Sequence, residues 1–505
     1  MRILLVPSER GSASPSSVPE QTFAFRPEAV ARQGRPVCRQ KQSYRTGKAS
    51  NRATLVSGNK MYVSECGACP AHPTRRGSSR TCLYFGRHIT LGAINAAATR
   101  RQAREESSMS IADPVVIVAA ARTPLGRLQG DLSALHGHEL GSHVIRAVVE
   151  RSRVDPADLS EVLMGCVLPA GQGQAPARQA ARGAGLPDLV GATTINKVCG
   201  SGMKAAMFAY DLIVANSSNV IIAGGMESMS NAPYMLAKAR SGYKSGHDRL
   251  FDHMMLDGLE DAYESGRPMG DFGEAAVEAF HFSRSDQDTY ATSSLQRARA
   301  AIQNGAFAAE IVPIEVPAKG GSRLVDTDEH PLKVSPEKIP QLKPAFRVNG
   351  TITAASASAN ADGAAALVLM RRSEAARRGS PVLAEVVGHA THSQNPAWYT
   401  TAPAPSIRKL LERVGWTTDD VDLYEINEAF AAVAMAAVAE LKIPNEKLNV
   451  NGGACALGHP IGATGARLIV TLLHALEARS VRRGVASLCI GGGEATSIAI
   501  ERPEA

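Results

Sequence analysis

The chain has 505 residues, 44% of them hydrophobic and only 5% aromatic, which suits one large domain or two to three ordinary ones built around packed cores. Its net charge of +7 is unevenly placed: residues 1–108 carry 18 Lys and Arg against six Glu and no Asp, while the remainder carries 37 basic and 42 acidic residues. The basic balance therefore gives no sign of nucleic-acid binding by the rest of the chain, and the lack of any run of 18 apolar residues argues against a membrane span.

Residues 1–108 show neither helical nor strand periodicity and are rich in Arg, Ser, Gly and Gln, a composition that cannot bury enough apolar surface to order itself. They read as a disordered basic extension. Their acid-poor character suits an organellar transit peptide, but MRILLVPSERGSASPSS does not sustain the amphipathic helix such a leader requires. The expectation is an upstream extension outside the mature protein, with the folded part opening at Met109. The remainder is then expected to be cytoplasmic, or mitochondrial if the extension is a leader. Cys66 and Cys69, with His72, Cys82 and His88, can be drawn as a zinc site, yet a single CxxC in such a stretch is a weak pattern and no metal is expected.

Beyond Met109 the order of elements repeats. VVIVAAARTP reads as a strand, HELGSHVIRAVVERS as a helix, EVLMGCV as a strand, TTINKVCGSGMKAAMFAYDLI as a strand turning into a helix, and NVIIAGGMES as a strand. VLAEVVGHATHS, PSIRKLLERVG, DLYEINEAF, LNVNGGACALGHPIGATGARLIVTLLHAL and VASLCIGGGEATS follow the same plan, with Met164 answering Ile426 and Gly224 answering Gly492. Two βαβ-rich halves predict an open sheet covered by helices with right-handed crossovers. Residues from about 230 to 370, with the helix SRSDQDTYATSSLQRARAAIQNG, form an excursion between the copies that is expected to cover a site.

The repeat also places the chemistry. Cys199 stands where a strand turns into a helix, a position at which the helix dipole and free N–H groups favour thiolate and nucleophilic attack. Gly200 and Gly202 are read as room for a bulky thioester. His459, in GHP, occupies the equivalent turn of the second half. Cys489 ends the buried strand VASLCI, and Asn427 follows DLYEI, where it can orient a water or a carbonyl, or simply cap a helix. Taken singly, each has a structural alternative: a buried small hydrophobe for either cysteine, a turn residue for the histidine. Four cysteines after Met109, including Cys166 and Cys455, are too few for a disulfide scaffold.

Together, NKVCGSGMKA, AGGMESMS, NEAF, NGGACALGHPIGATGAR and CIGGGEA resemble the signature segments of the thiolase family, in order and across essentially all of 109–505. The resemblance implies an α/β thiolase fold: two βαβαβαββ halves in a layered α/β/α/β/α core with an inserted loop domain. Its expected limits are 109–229 for the first part of the N-terminal half, 230–350 for the loop domain, 351–380 for the end of that half and 381–505 for the C-terminal half. It implies Cys199 as acyl-accepting nucleophile, His459 as its activator and oxyanion donor, Asn427 as holder of a water in the same hole, and Cys489 as the acid/base. The N–H groups of Cys199 and Gly491 correspond to a second oxyanion hole.

The resemblance is nearest to enzymes that condense two acetyl-CoA to acetoacetyl-CoA by a ping-pong route, with coenzyme A as substrate and product and no cofactor. Acyl-CoA partners and a homo-oligomer, dimer or tetramer, are implied as well. Two departures touch the substrate side. RPMG, with Pro268 and Met269, replaces the usual YHMG, and ASASA replaces GNASG, so Ser358 matches the serine on the pantetheine arm while Ser356 replaces an asparagine. Lys319 and Arg323 are candidates for CoA phosphates. A degradative 3-ketoacyl-CoA thiolase and a noncatalytic thiolase-like lipid carrier remain alternatives; CIGGG argues against a decarboxylating ketoacyl synthase.

Overall fold

The computed structural model describes residues 113–504. The readings made on 1–108, including the zinc pattern, lie outside them.

Strand β1 (Val115–Arg122) puts Val116 and Val118 on one face and Val115 and Ile117 on the other, all fully buried, so its sequence is continuously apolar rather than alternating. After the short β2 (Gly126–Arg127), the first half continues with α1 (Gly137–Ser152), β3 (Glu161–Gly165), α2 (Pro176–Gly183), β4 (Gly191–Ile195), α3 (Ser201–Val214) and β5 (Val220–Ser228). The excursion then supplies the hairpins β6 (Tyr234–Leu236) to β7 (Leu250–Asp252) and β8 (Ile314–Ala318) to β9 (Gly321–Val325), with α4 (Met269–Phe280), α5 (Arg284–Gln303) and the single turn α6 (His330–Lys333). Strand β10 (Ala361–Arg371) returns to the sheet, and α7 (Arg372–Arg378) leads into the second half.

That half runs β11 (Ala384–Ser393), α8 (Pro403–Val414), β12 (Leu423–Ile426), α9 (Ala431–Leu441), the short α10 (Ala454–Leu457), α11 (Ile461–Ala478), β13 (Arg483–Ile490) and β14 (Glu494–Glu501). The first half is ordered β4-β3-β5-β10-β1 and the second β12-β13-β14-β11, with a single bridge from Tyr424 to Leu448 where the second half lacks the counterpart of β4. The first half thus follows βαβαβαββ, and the second follows the same plan with that bridge in place of its third strand. Helices α1 and α2 cover the outer face of the first half, α8 and α9 that of the second, and α3 and α11 lie between them.

Three details depart from expectation. The halves share one continuous ten-stranded sheet, because β1 and β11 pair at Val116–Glu385 and Ile117–Ala384. The repeat register differs too: β3 pairs Met164 with Gly224, while β12 pairs Ile426 with Ser487, so Gly224 corresponds to Ser487 and not to Gly492, which lies in the turn after β13. Helix α11 is long and apolar enough to cross a membrane, but it is the central core helix, buried along almost its whole length between the halves.

The excursion is tied into the fold as well as laid over it. Fully buried Arg122 donates to Glu310 at 2.6 Å and to Asp328 at 2.7 and 2.9 Å, both carboxylates coming from the excursion. Breaking such a pair leaves an uncompensated buried charge.

Candidate active site

Cys199 precedes α3, in a turn whose backbone is strained. Val198, a β-branched residue, has φ +45°, a left-handed conformation that such side chains rarely adopt. The turn is held by hydrogen bonds on every side. The Val198 N–H donates to Asn196 Oδ1 at 2.9 Å, the Lys197 N–H donates to Ser201 Oγ at 2.8 Å, and the Ser201 hydroxyl donates to the Val198 carbonyl at 2.6 Å.

The glycines of this motif do something other than admit a thioester. A Cβ on Gly202 would lie 2.9 Å from Ala466 N and 3.0 Å from Gly462 O, both main-chain atoms of α11. Gly202 is therefore what lets α3 and α11 touch backbone to backbone. A Cβ on Gly200 would meet the side chain of Ile490.

Around the half-buried Cys199 sulfur, the main-chain donors of Gly491 and of Cys199 itself favour the thiolate, but desolvation outweighs them and pushes the thiol up to about 11. The expected helix-end depression is therefore reversed, and the resting nucleophile is a neutral thiol. Cys489 ends β13, fully buried against Phe272, Tyr399 and Phe430. Burial, and then the nearby Cys199, hold its thiol well above the ordinary value. Tyr399 senses both thiols and donates its hydroxyl to the Met269 carbonyl at 2.9 Å. A Cβ on Gly491 would lie 3.4 Å from Met269 Cε and 3.6 Å from Val198 Cγ1, which brings Met269, Gly491 and the Cys199 turn to one place.

His459 precedes α11 and is buried. Its Nδ1 lies 2.7 Å from Thr464 Oγ1 and its Nε2 3.4 Å from Asn427 Nδ2. Burial, with Arg467 adding to it, pushes the imidazole down to about 3, so it is neutral at physiological pH. Fully buried Asn427 donates its N–H to the Ser487 carbonyl at 2.9 Å, while its side-chain Oδ1 has no protein partner. The loop bearing Ser358 joins the same wall: the Ser358 N–H donates to the Ala429 carbonyl at 3.0 Å, and Ser356 Oγ accepts from the Thr353 N–H at 2.9 Å. The two phosphate candidates do not come to this centre. Their hairpin packs on the outer core through Ile314, Val316 and Val325, and Arg323 is paired with Asp131 at 2.7 Å.

Family comparison decides the identity of this fold. The sequence matches the thiolase N-terminal domain over residues 115–373 and the thiolase C-terminal domain over 380–502. An Arabidopsis thaliana protein named acetyl-CoA acetyltransferase 2 is 49% identical over 390 residues, covering 77% of this chain and 96% of the relative.

The chain belongs to the thiolase family.

A Pseudomonas aeruginosa acetyl-CoA acetyltransferase is 46% identical over 390 residues, covering 77% of this chain and 99% of the relative. Among solved thiolases, the Bacillus anthracis acetyl-CoA acetyltransferase superposes with a TM-score of 0.75 at 41% identity, covering 77% of this chain and 99% of that one. The Acat5 thiolase from Ascaris suum in complex with coenzyme A gives 0.73 at 38% identity, covering 77% and 100%.

Two residues of this thiolase that sequence reasoning passed over sit against its centre. Glu227, fully buried at the end of β5, accepts from the N–H groups of Val167 at 3.0 Å, Leu168 at 3.1 Å and Gly462 at 2.8 Å, and its charge is felt by Cys199. Desolvation lifts its carboxyl to about 7. Glu428, beside Asn427, accepts from Tyr290 at 2.9 Å and Ser294 at 2.8 Å, which clamps α5 of the excursion onto the second half. Acidic residues inside runs as apolar as AGGMES and YEINEAF were the available signal, since buried carboxylates survive only where donors surround them. Among the described residues no cluster of three or more His, Cys, Asp and Glu side chains is arranged to hold a metal ion.

Proposed function

We propose that this thiolase is an acetyl-CoA acetyltransferase, which joins two acetyl-CoA into acetoacetyl-CoA and CoA and runs in reverse as a thiolytic cleavage. One observation carries the reading: two cysteines from different halves lie close enough for Cys199 to oppose ionisation of Cys489, and a main-chain N–H from the second half is aimed at the sulfur of Cys199. The relatives named acetyl-CoA acetyltransferase support the acetyl substrate.

The chemistry closes on these residues. The Cys199 proton passes to neutral His459 as sulfur adds to the acetyl-CoA carbonyl, and the oxyanion is met by fixed donors, each typically worth 10²- to 10³-fold in rate. CoA leaves as the thiol, taking its proton from Cys489. That transfer leaves Cys489 as the thiolate. Cys489 then removes a proton from the methyl group of a second acetyl-CoA. The carbanion attacks acetyl-Cys199, and the expelled thiolate recovers its proton from His459. Met269 and Ser358 are assigned to the substrate wall, and family membership supports a homo-oligomer.

The test is CoA-dependent cleavage of acetoacetyl-CoA beside a longer 3-ketoacyl-CoA, with the Cys199→Ala variant as control. Preference for acetoacetyl-CoA, abolished by the variant, is expected. Preference for the longer substrate would place the enzyme in degradative thiolysis, and cleavage of neither would favour a carrier.

A further inference from the structure

The hydrogen bonds around His459 carry a tautomer assignment. Its Nδ1 lies 2.7 Å from Thr464 Oγ1, and the same hydroxyl lies 2.9 Å from the Pro460 carbonyl. A carbonyl only accepts, so a Thr464 hydroxyl that donates to it is left to accept from Nδ1–H. Nε2 is then bare and accepts from Asn427 Nδ2 at 3.4 Å. This arrangement makes three bonds in series. In the opposite tautomer Thr464 donates to Nδ1 and Nε2–H points at a turned Asn427 amide, which makes only two. Thr464 is fully buried, one turn into α11, so no bulk water replaces it as partner.

We propose that Thr464 is a positioning residue that holds His459 as the Nδ1–H tautomer, so that Nε2, held at rest only by the long contact to Asn427 Nδ2, keeps the lone pair that takes the Cys199 proton. The inference rests on the reading of His459 as proton acceptor for Cys199 and adds to it the residue that makes Nε2 the accepting atom. Thr464 touches neither substrate nor the reacting sulfur; it acts through the imidazole alone. Loss of an outer partner of this kind costs about 10- to 100-fold where the ring orientation it sets is needed.

The experiment uses the full-length enzyme labelled with ¹⁵N-histidine, with Thr464→Val, Thr464→Ser and His459→Gln variants. In the wild type and Thr464→Ser, the ¹⁵N spectrum should show Nδ1 protonated and Nε2 bare. Thr464→Val, close in shape to the native side chain, should shift the population towards Nε2–H. It should also slow acetylation of Cys199 by about 10- to 100-fold, with KM for acetyl-CoA little changed and the Ser variant near wild type. A bare Nδ1 in the wild type overturns the inference. So does a Thr464→Val enzyme that acetylates at the wild-type rate while His459→Gln is slow. If His459→Gln itself acetylates normally, the reading of His459 as base fails, and this inference fails with it for a distinguishable reason.

Discussion

Gly202→Ala and Gly200→Ala separate two explanations for the glycines around the nucleophile. At Gly202 the new Cβ would meet Ala466 N at 2.9 Å, Gly462 O at 3.0 Å and Ala463 O at 3.3 Å. All three belong to the α11 main chain and cannot rotate away, so α3 must retreat by about 0.5 Å to restore ordinary contact. Overpacking of this sort costs about 1–3 kcal/mol, and the helix preference of Ala over Gly returns up to about 1 kcal/mol, leaving a net loss of roughly 1–2 kcal/mol. The displacement also moves the Cys199 turn relative to His459 and Gly491. Since a 1 Å misplacement can cost about 10²-fold, half of that predicts roughly a 10-fold loss of kcat. At Gly200 the new Cβ would press mainly on the Ile490 side chain, which can turn aside; about 1 kcal/mol or less is expected, with modest loss of rate. Thermal denaturation and acetoacetyl-CoA thiolysis on both variants provide the comparison. If Gly200→Ala proves the more damaging while Gly202→Ala is as stable and active as the parent, the helix-contact argument is wrong and space for the thioester is the reason after all.

Cys489→Ala should still become acetylated at Cys199 but lose condensation by about 10²- to 10⁴-fold; mass spectrometry of the acetyl-enzyme and the rate of acetoacetyl-CoA formation check both, and normal condensation would assign the base elsewhere. With its thiol lifted to about 11, Cys199 in the unliganded enzyme should react with iodoacetamide about 10-fold faster per pH unit from pH 7 to 9, whereas a rate already flat at pH 7 would mean a thiolate after all. Glu227 ionises at about 7 in the fold against an ordinary 4.5, so the folded state holds that proton more tightly than the unfolded chain. Its contribution is present below about pH 4.5 and is lost as pH rises through 7, by up to about 3 kcal/mol. Melting temperature against pH should therefore be flatter for Glu227→Gln over that window, and an unchanged slope would assign the dependence to other groups.

The order of elements and the site cysteines were legible in the sequence because strand-turn-helix punctuation is local: KVCGSG and GHPIGATG declare their turns within a few residues. Burial and charge were not. The thiols of Cys199 and Cys489 sit above their ordinary values because strands and loops from both halves exclude water from them, which no local pattern at Cys199 encodes. Arg323 looked free because its partner Asp131 is 192 residues away. The match of Gly224 to Gly492 failed for a related reason: glycines answer to close contacts, and those differ between β5, pressed on α11 at Gly225, and the open turn after β13. Thr464 was in plain view in GHPIGATG, but its meaning depended on one hydroxyl spanning two partners.

The contact of α3 with α11 also has a consequence for biosynthesis. Cys199 leaves the ribosome early, yet the helix it precedes rests on Gly462, Ala463 and Ala466, and its sulfur is met by the N–H of Gly491. More than two hundred and ninety residues must follow the nucleophile out before the last of its neighbours exists. A nascent chain, or one truncated before Gly491, therefore carries the thiol without its catalytic surroundings, and the enzyme becomes competent only once Gly491 has emerged as well.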